Sequence, residues 1–179
     1  MRVIGGEFRS RVLKSLPGLD VRPTPDRLRE SLFNVLAPRI EGTVFADVYA
    51  GTGAVGIEAL SRGAARAIFV EQNHAAAAVI RENIRSLGLE GRALLRHSRA
   101  SVVLPQIEAD IVFIDPPYRL EQEYERSLAA LGEKPAGLVV VQHPTRLQLA
   151  ESYGALRRTR ALKQGDNALS FFTSFFTLE

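Results

Sequence analysis

Asp47-Val48-Tyr49-Ala50-Gly51-Thr52-Gly53-Ala54-Val55-Gly56 is the stretch on which the fold turns. It follows a run that reads as a strand, Thr43 to Tyr49, and opens a segment that reads as a helix, near Val55 to Arg62. A glycine turn between strand and helix lets the backbone approach a ligand closely, and the stretch contains the pattern G-x-G-x-x-G. The same turn serves nicotinamide and flavin enzymes and also occurs without a ligand, so alone it marks a strand-turn-helix and no particular ligand.

Downstream, short apolar runs rich in β-branched and aromatic residues alternate with helical segments. Strands are expected at Ala67 to Glu71, Ala93 to His97, Asp110 to Asp115 and Gly137 to Gln142. Helices are expected near Ala75 to Leu87, Ser101 to Ile107, Glu121 to Leu131 and Thr145 to Ser152. This alternation predicts an α/β fold, a parallel sheet wrapped by helices, with Gly63 and Gly88 where helix C-terminal caps belong. After the last helix the period changes. Leu156 to Lys163 and Ala168 to Leu178 read as two strands joined at Gln164-Gly165-Asp166-Asn167, pairing as an antiparallel hairpin at one edge of the sheet.

Upstream, Arg22-Pro23-Thr24-Pro25 supplies a helix start, with Thr24 as the N-cap and Pro25 in the first helical position. Leu28, Leu32, Val35 and Leu36 form one apolar face that should lie across the sheet, and Pro38 ends the helix. Val3 to Leu16 alternates weakly and stops at Pro17-Gly18, a short hairpin or extended arm. The expected organisation is an arm over residues 1–20 and a single globular domain over 21–179, with no repeat or second domain boundary.

A chain of 179 residues can bury about 70% of its unfolded surface in one core. With 46% hydrophobic and 24% charged residues it reads as an ordinary globular protein. The net charge is only +3, yet Arg2, Arg9, Arg11, Lys14, Arg22, Arg27 and Arg29 crowd the first thirty positions. Such a cluster suits phosphate contacts, although a solvated face would read the same way. The absence of cysteine excludes disulfides, thiolate metal sites and cysteine nucleophiles. The opening lacks a signal-peptide core, and no apolar run approaches the roughly 20 residues of a membrane span, so a cytoplasmic protein is expected.

Glu71 stands at the end of the next strand, twenty positions beyond Gly51, where a carboxylate can accept both ribose hydroxyls of an adenosine. Asp47 sits beside the glycine turn, where it would repel a pyrophosphate but welcome the ammonium of a methionine moiety. Together they point to S-adenosylmethionine. Asp115-Pro116-Pro117-Tyr118 ends the fourth strand, at the sheet edge where open α/β folds bind ligands. An exocyclic base amine is a poor nucleophile because its lone pair is delocalised. Acceptors on its hydrogens draw it toward tetrahedral geometry; the Asp115 carboxylate and Pro116 carbonyl are the candidates, Pro117 stiffens the turn, and Tyr118 would stack on an extruded base. His74, His97 and His143 stand singly and read as surface or structural residues, and no metal site is expected. Ser31, Ser61 and Ser170 have no nucleophile context. Phe171-Phe172 and Phe175-Phe176 are expected to fill the core and sheet edge.

With these residues in view, the chain resembles the bacterial 16S ribosomal RNA guanine-N2 methyltransferases, the RsmD family, over nearly its whole length. The resemblance rests on Arg2-Val3-Ile4-Gly5-Gly6, the stretch from Arg22 to Asn34, the glycine turn continuing through Glu58-Ala59-Leu60-Ser61-Arg62-Gly63-Ala64, Asp115 to Tyr118, and Gly165-Asp166-Asn167-Ala168-Leu169-Ser170-Phe171. It implies a seven-stranded Rossmann-like methyltransferase sheet, mostly parallel, with an N-terminal β-hairpin arm. It also implies S-adenosylmethionine as donor and one guanine N2 of 16S ribosomal RNA, in a small subunit or assembly intermediate, as target of a monomer. The resulting assignments are Asp47, Ala50, Gly51, Gly53, Glu71, Gln72, Arg99 and Asp115 at the cofactor, Asp115, Pro116, Pro117 and Tyr118 at the reacting amine, and Arg2, Arg9, Arg11, Lys14, Arg22 and Arg27 on RNA. One departure stands out: where the family offers Gly-Asp-Ala, whose acid contacts the adenine amine, this chain reads Ser98-Arg99-Ala100.

Other readings share the motif. Adenine N6 in nucleic acid and a protein glutamine amide also present a planar NH2, and the basic arm argues against the protein. An RNA-binding assembly factor whose methylation is incidental is the non-enzymatic reading. A nicotinamide dehydrogenase fits least, given Asp47, Asp115 to Tyr118 and the lack of a substrate domain.

Overall fold

The computed structural model describes residues 1–16, 25–134 and 137–175. Eight strands form one sheet: β1 (Val44–Val48), β2 (Arg66–Val70), β3 (Ala93–Arg96), β4 (Ile111–Ile114), β5 (Leu138–Pro144), β6 (Ser152–Tyr153), β7 (Leu156–Gln164) and β8 (Asn167–Ser174). Their order across the sheet is β3-β2-β1-β4-β5-β8-β7-β6. The first five are parallel; β8 then pairs antiparallel with β5, β7 with β8 and β6 with β7. The chain order reverses between β1 and β4, so the carboxyl ends of these strands form the switch point where a ligand crevice belongs.

The helices are α1 (Asp26–Leu36), α2 (Ala54–Ser61), α3 (His74–Ser86), α4 (Ala100–Val103), continued by a 3-10 turn at Leu104–Gln106, and α5 (Glu121–Gly132). The sheet alternates between two cores. Ala46, Val48, Val112, Ile114, Val139 and Val141 meet Leu104, Tyr124, Leu128 and Leu131 on one face. Phe45, Ile111, Phe113 and Val140 meet Leu28, Leu32, Phe33 and Leu36 of α1 on the other. Fully burying each large apolar side chain is worth roughly 1.5–3 kcal/mol, which holds α1 across the sheet as its spacing predicts. Gly63 (φ 107°) and Gly88 (φ 66°) follow α2 and α3 in the left-handed conformation expected of caps.

Several expectations are corrected. Pro25 caps α1 from outside, so the first helical residue is Asp26; Thr24 and Arg22 lie outside the described residues. Thr145 to Ser152 forms no helix but a turn and an irregular stretch leading into β6. Leu149 is buried, the Thr145 N–H donates to the Asp166 carbonyl (2.9 Å) and the Ala150 N–H to Tyr153 Oη (2.9 Å), so this backbone is satisfied outside a helix. The sheet therefore has eight strands where seven were expected. The helix expected at Ser101 to Ile107 shortens to α4 and tightens at Pro105. The C-terminal hairpin forms, but β8 is interior, pairing with both β5 and β7, and Phe171 and Phe172 fill opposite faces. Phe175 is exposed, contrary to expectation, and Phe176 lies outside the described residues.

The first residues are an arm only in part. One antiparallel bridge, Arg2 to Val12, closes a loop whose Val3 and Leu13 are buried against α2 and α3. The buried Glu58 of α2 accepts the backbone N–H groups of Ile4 and Gly5, each at 2.8 Å, and the Arg62 Nε at 2.7 Å. Gly6 (φ 79°) lies so close to α2 that a Cβ would stand 1.9 Å from the Ser61 carbonyl. The Arg2 to Gly6 motif is thus, in structural terms, the docking of this segment onto α2. Ser61 joins the clamp, accepting from Phe8 N–H and donating to the Gly5 carbonyl.

Candidate active site

At the carboxyl ends of β1, β2, β4 and β5 lies a cavity of about 440 Å³. The chain leaves β1 through Tyr49 (φ 66°) and Gly53 (φ 81°), a left-handed turn that is strained for tyrosine. The Tyr49 hydroxyl holds it by donating to Glu123 (3.0 Å) and sharing a hydrogen bond with Ser127 (2.9 Å) on α5. Gly56 brings α2 onto the sheet: a Cβ there would stand 2.3 Å from the Phe69 ring. Its N–H donates to the Asp47 carboxylate at 2.8 Å.

Asp47 is buried, and burial raises its carboxyl from 3.8 to about 7, against the Gly56 hydrogen bond and with help from the negative charge of Glu71. The two oxygens of Glu71 each accept one backbone N–H, from Gly51 at 2.8 Å and from Asn73 at 2.7 Å. Each oxygen keeps capacity for a further donor, so Glu71 closes the glycine turn and still offers two acceptors to the cavity. Ala50, Val70, Ala76 and Ala100 supply apolar wall between the acids.

Beyond β4, Asp115, Pro116, Pro117 and Tyr118 all line the same cavity. The Tyr118 hydroxyl donates to Asn167 Oδ1 at 2.5 Å, joining this turn to the start of β8. The hydroxyl of the fully buried Tyr124 donates to the Pro116 carbonyl at 3.2 Å, leaving that carbonyl one further lone pair.

The cavity brings together most residues expected from sequence: Asp47, Ala50, Gly51, Glu71, Gln72 and the whole Asp115 to Tyr118 turn. Gly53 shapes the turn behind it. Arg99 is exposed at the start of α4, while its neighbours Ser98 and Ala100 line the wall. Of the basic residues, Arg2, Arg9, Arg11, Lys14 and Arg27 are exposed, with Lys14 paired to Glu82 (2.8 Å) and Arg11 donating to the Ser86 carbonyl. Arg29, counted above in the basic cluster, is fully buried and donates to the Arg2 carbonyl (2.7 Å) and Asp26 (3.0 Å), so it belongs to the fold. Tyr49, Tyr124, Gln142, Asn167 and Arg119 were not picked out as site residues. Arg119 adjoins the Asp115 turn, Tyr49 lies inside the glycine-turn stretch and Asn167 inside the Gly165 to Phe171 stretch, whereas Tyr124 and Gln142 carry no such signal. His143 is buried with its ring against Ser170 (2.9 Å), and burial lowers its pKa, in keeping with a structural role.

The family model described as conserved hypothetical protein 95 matches residues 1–173. The chain belongs to this family, the RsmD family of methyltransferases. Among its relatives, YlbH of Bacillus subtilis, named as a candidate rRNA methyltransferase, is 34% identical over 181 residues, 96% of this chain and 98% of the relative. Ribosomal RNA small subunit methyltransferase D of Escherichia coli is 43% identical over 121 residues, 66% of this chain and 61% of the relative. The solved structure of YhhF from Escherichia coli superposes with a TM-score of 0.85 at 34% identity, covering 97% of each chain. Of the stretches that carry the resemblance, Gly5-Gly6 docks the first residues on α2 and Asn167 reaches the Asp115 turn.

Proposed function

We propose that this protein transfers a methyl group from S-adenosylmethionine to the exocyclic N2 of a guanine in small-subunit ribosomal RNA. The observation that carries the reading is the shared cavity of a buried acid held by one backbone N–H, a two-acceptor acid and the Asp115 turn. Family membership and the names of the relatives above support the substrate class.

The residues fit the donor. Asp47 suits the methionine ammonium, since a cation would offset the burial that now raises its pKa. Glu71 suits the ribose diol with its remaining acceptor capacity. Ala50, Gly51 and Gln72 complete the wall, and the Ser98 hydroxyl, or a backbone carbonyl nearby, takes the place of the missing adenine-binding acid. When bound, the donor supplies an electrophilic methyl on a sulfonium, whose departure leaves a neutral thioether.

The remaining work falls to the chain itself. Asp115 accepts one amine N–H and the Pro116 carbonyl the other, drawing the nitrogen toward tetrahedral geometry and its lone pair out of conjugation with the ring. Asp115 also steadies the positive charge that develops on nitrogen and takes the departing proton. Pro117 holds the turn, and Tyr118, tethered to Asn167, presents its ring to the base. Arg2, Arg9, Arg11, Lys14, Arg22, Arg27 and Arg119 contact phosphates; Arg119 lines the cavity itself, whereas Arg11 reaches the Ser86 carbonyl at the far end of α3, so the RNA path extends beyond the cavity mouth.

The test separates binding from chemistry. Asp115→Ala is expected to cut the single-turnover methyl-transfer rate by at least 100-fold while the donor Kd changes less than threefold. Equal losses in both would mean that Asp115 only maintains the cavity.

A further inference from the structure

Gln142 on β5 occupies the position after Val141, whose neighbour on β4 is Ile114, so Gln142 stands beside Asp115 at the carboxyl edge of the sheet. Register places it next to Leu169 of β8, on the face covered by α1. It lines the same cavity as Asp115, Pro116 and Tyr118. Its side chain is 3% exposed, and its Oε1 is a buried acceptor with no hydrogen-bond partner among the described residues. Its sequence neighbour differs: the His143 ring is satisfied by Ser170 and the Pro144 carbonyl. An orphaned acceptor in a ligand cavity is a place for an N–H donor from the ligand.

Three planar amines fit the Asp115 turn, and they differ in what lies next to the NH2. Beside guanine N2 is N1–H, a donor. Beside adenine N6 are N1 and N7, both acceptors, and beside a glutamine NH2 is its own carbonyl oxygen. Only guanine offers two adjacent donors to two acceptors on neighbouring strands about 4.8 Å apart. We infer that Gln142 is a specificity-determining residue: its Oε1 accepts the N1–H of the target guanine while Asp115 holds the adjoining amine. This rests on the guanine-N2 reading above and deepens it. An adenine or a glutamine in the same place sets acceptor against acceptor and leaves Gln142 unpaired.

The experiment uses the full chain and RNA whose methylated nucleotide has been located by mass spectrometry of the wild-type product. At that position the RNA carries either guanosine or 2-aminoadenosine, which keeps the 2-amino group but has an acceptor at N1. Single-turnover rates at saturating S-adenosylmethionine are compared for wild type, Gln142→Leu and Gln142→Glu. Wild type is expected to prefer guanosine by on the order of 10- to 100-fold. Gln142→Leu is expected to erase that preference by slowing the guanosine reaction alone, with donor Kd and Tm maintained. Gln142→Glu, which keeps an acceptor, is expected to retain it. Equal slowing on both RNAs, or no change on either, overturns the inference. Wild-type preference for 2-aminoadenosine also overturns it, because the amide would then present Nε2 instead. Absence of N2-methylguanosine from the wild-type reaction refutes the guanine reading itself, before any variant is made.

Discussion

Asp47 is held between two demands, since burial opposes its charge and the proposed ligand needs it. A carboxyl raised to about 7 in the folded state contributes stability that is fully present below its unfolded value near 4 and is lost as pH rises through 7. The unfolding free energy should therefore fall between pH 4 and 7, by up to about 4 kcal/mol from this group. Asp47→Asn, which keeps an acceptor for the Gly56 N–H, should remove that part of the slope in urea unfolding series and raise stability at pH 8. It should also weaken donor binding by on the order of tenfold or more, because a charge-assisted contact becomes a neutral one. Tyr124 acts through another residue: Tyr124→Phe deletes the hydroxyl that holds the Pro116 carbonyl, a hydrogen bond worth roughly 0.5–1.5 kcal/mol. The methyl-transfer rate should drop about 2- to 12-fold with unchanged donor Kd; a parallel loss of donor affinity would make Tyr124 a packing residue. Sequence reveals Asp47, Glu71 and Asp115 because each sits at a motif position. Tyr124 and Gln142 carry no such mark, since their roles depend on which strand and helix stand beside the turn.

At the scale of elements, the parallel strands and their helices were readable because strand-like apolar runs alternate with helical periodicity over β1 to β5. The segment after β5 was not. Leu147 and Leu149 suit a helix as well as an irregular stretch, and the stretch makes pairings invisible to local pattern, the Thr145 N–H with the Asp166 carbonyl and the Ala150 N–H with Tyr153. The basic arm misled in a second way: Arg29 has helical spacing and a charge typical of a surface, yet it lies fully buried under the docked first residues. Glu58 links that segment, α1 and α2. Glu58→Ala removes the acceptor of two backbone N–H groups and of Arg62, and strips the buried Arg29 of its nearby carboxylate, 4.0 Å away. Loss of one partner from such a buried network costs about 3–5 kcal/mol. Thermal unfolding should show a fall of many degrees in Tm, whereas an unchanged Tm would mean that the first residues are held by Val3, Leu13 and the Ser61 clamp without Glu58.

Over the whole molecule, the parallel half of the sheet builds the cavity from β1, β2, β4 and β5, and the antiparallel half supports it through Asn167. Exposed positive side chains lie along the first residues and at Arg119, so binding to RNA should weaken steeply with salt, log K falling nearly linearly with log salt concentration. The decisive measurement is methyl transfer from labelled S-adenosylmethionine into unmodified small ribosomal subunits, naked 16S RNA and duplex DNA, with the product nucleoside identified by mass spectrometry. A guanine-N2 methyltransferase of small-subunit RNA should yield N2-methylguanosine at a single site in the subunit or the RNA and none in DNA. Label in N6-methyladenosine, or donor binding with no label in any of the three, would contradict that assignment.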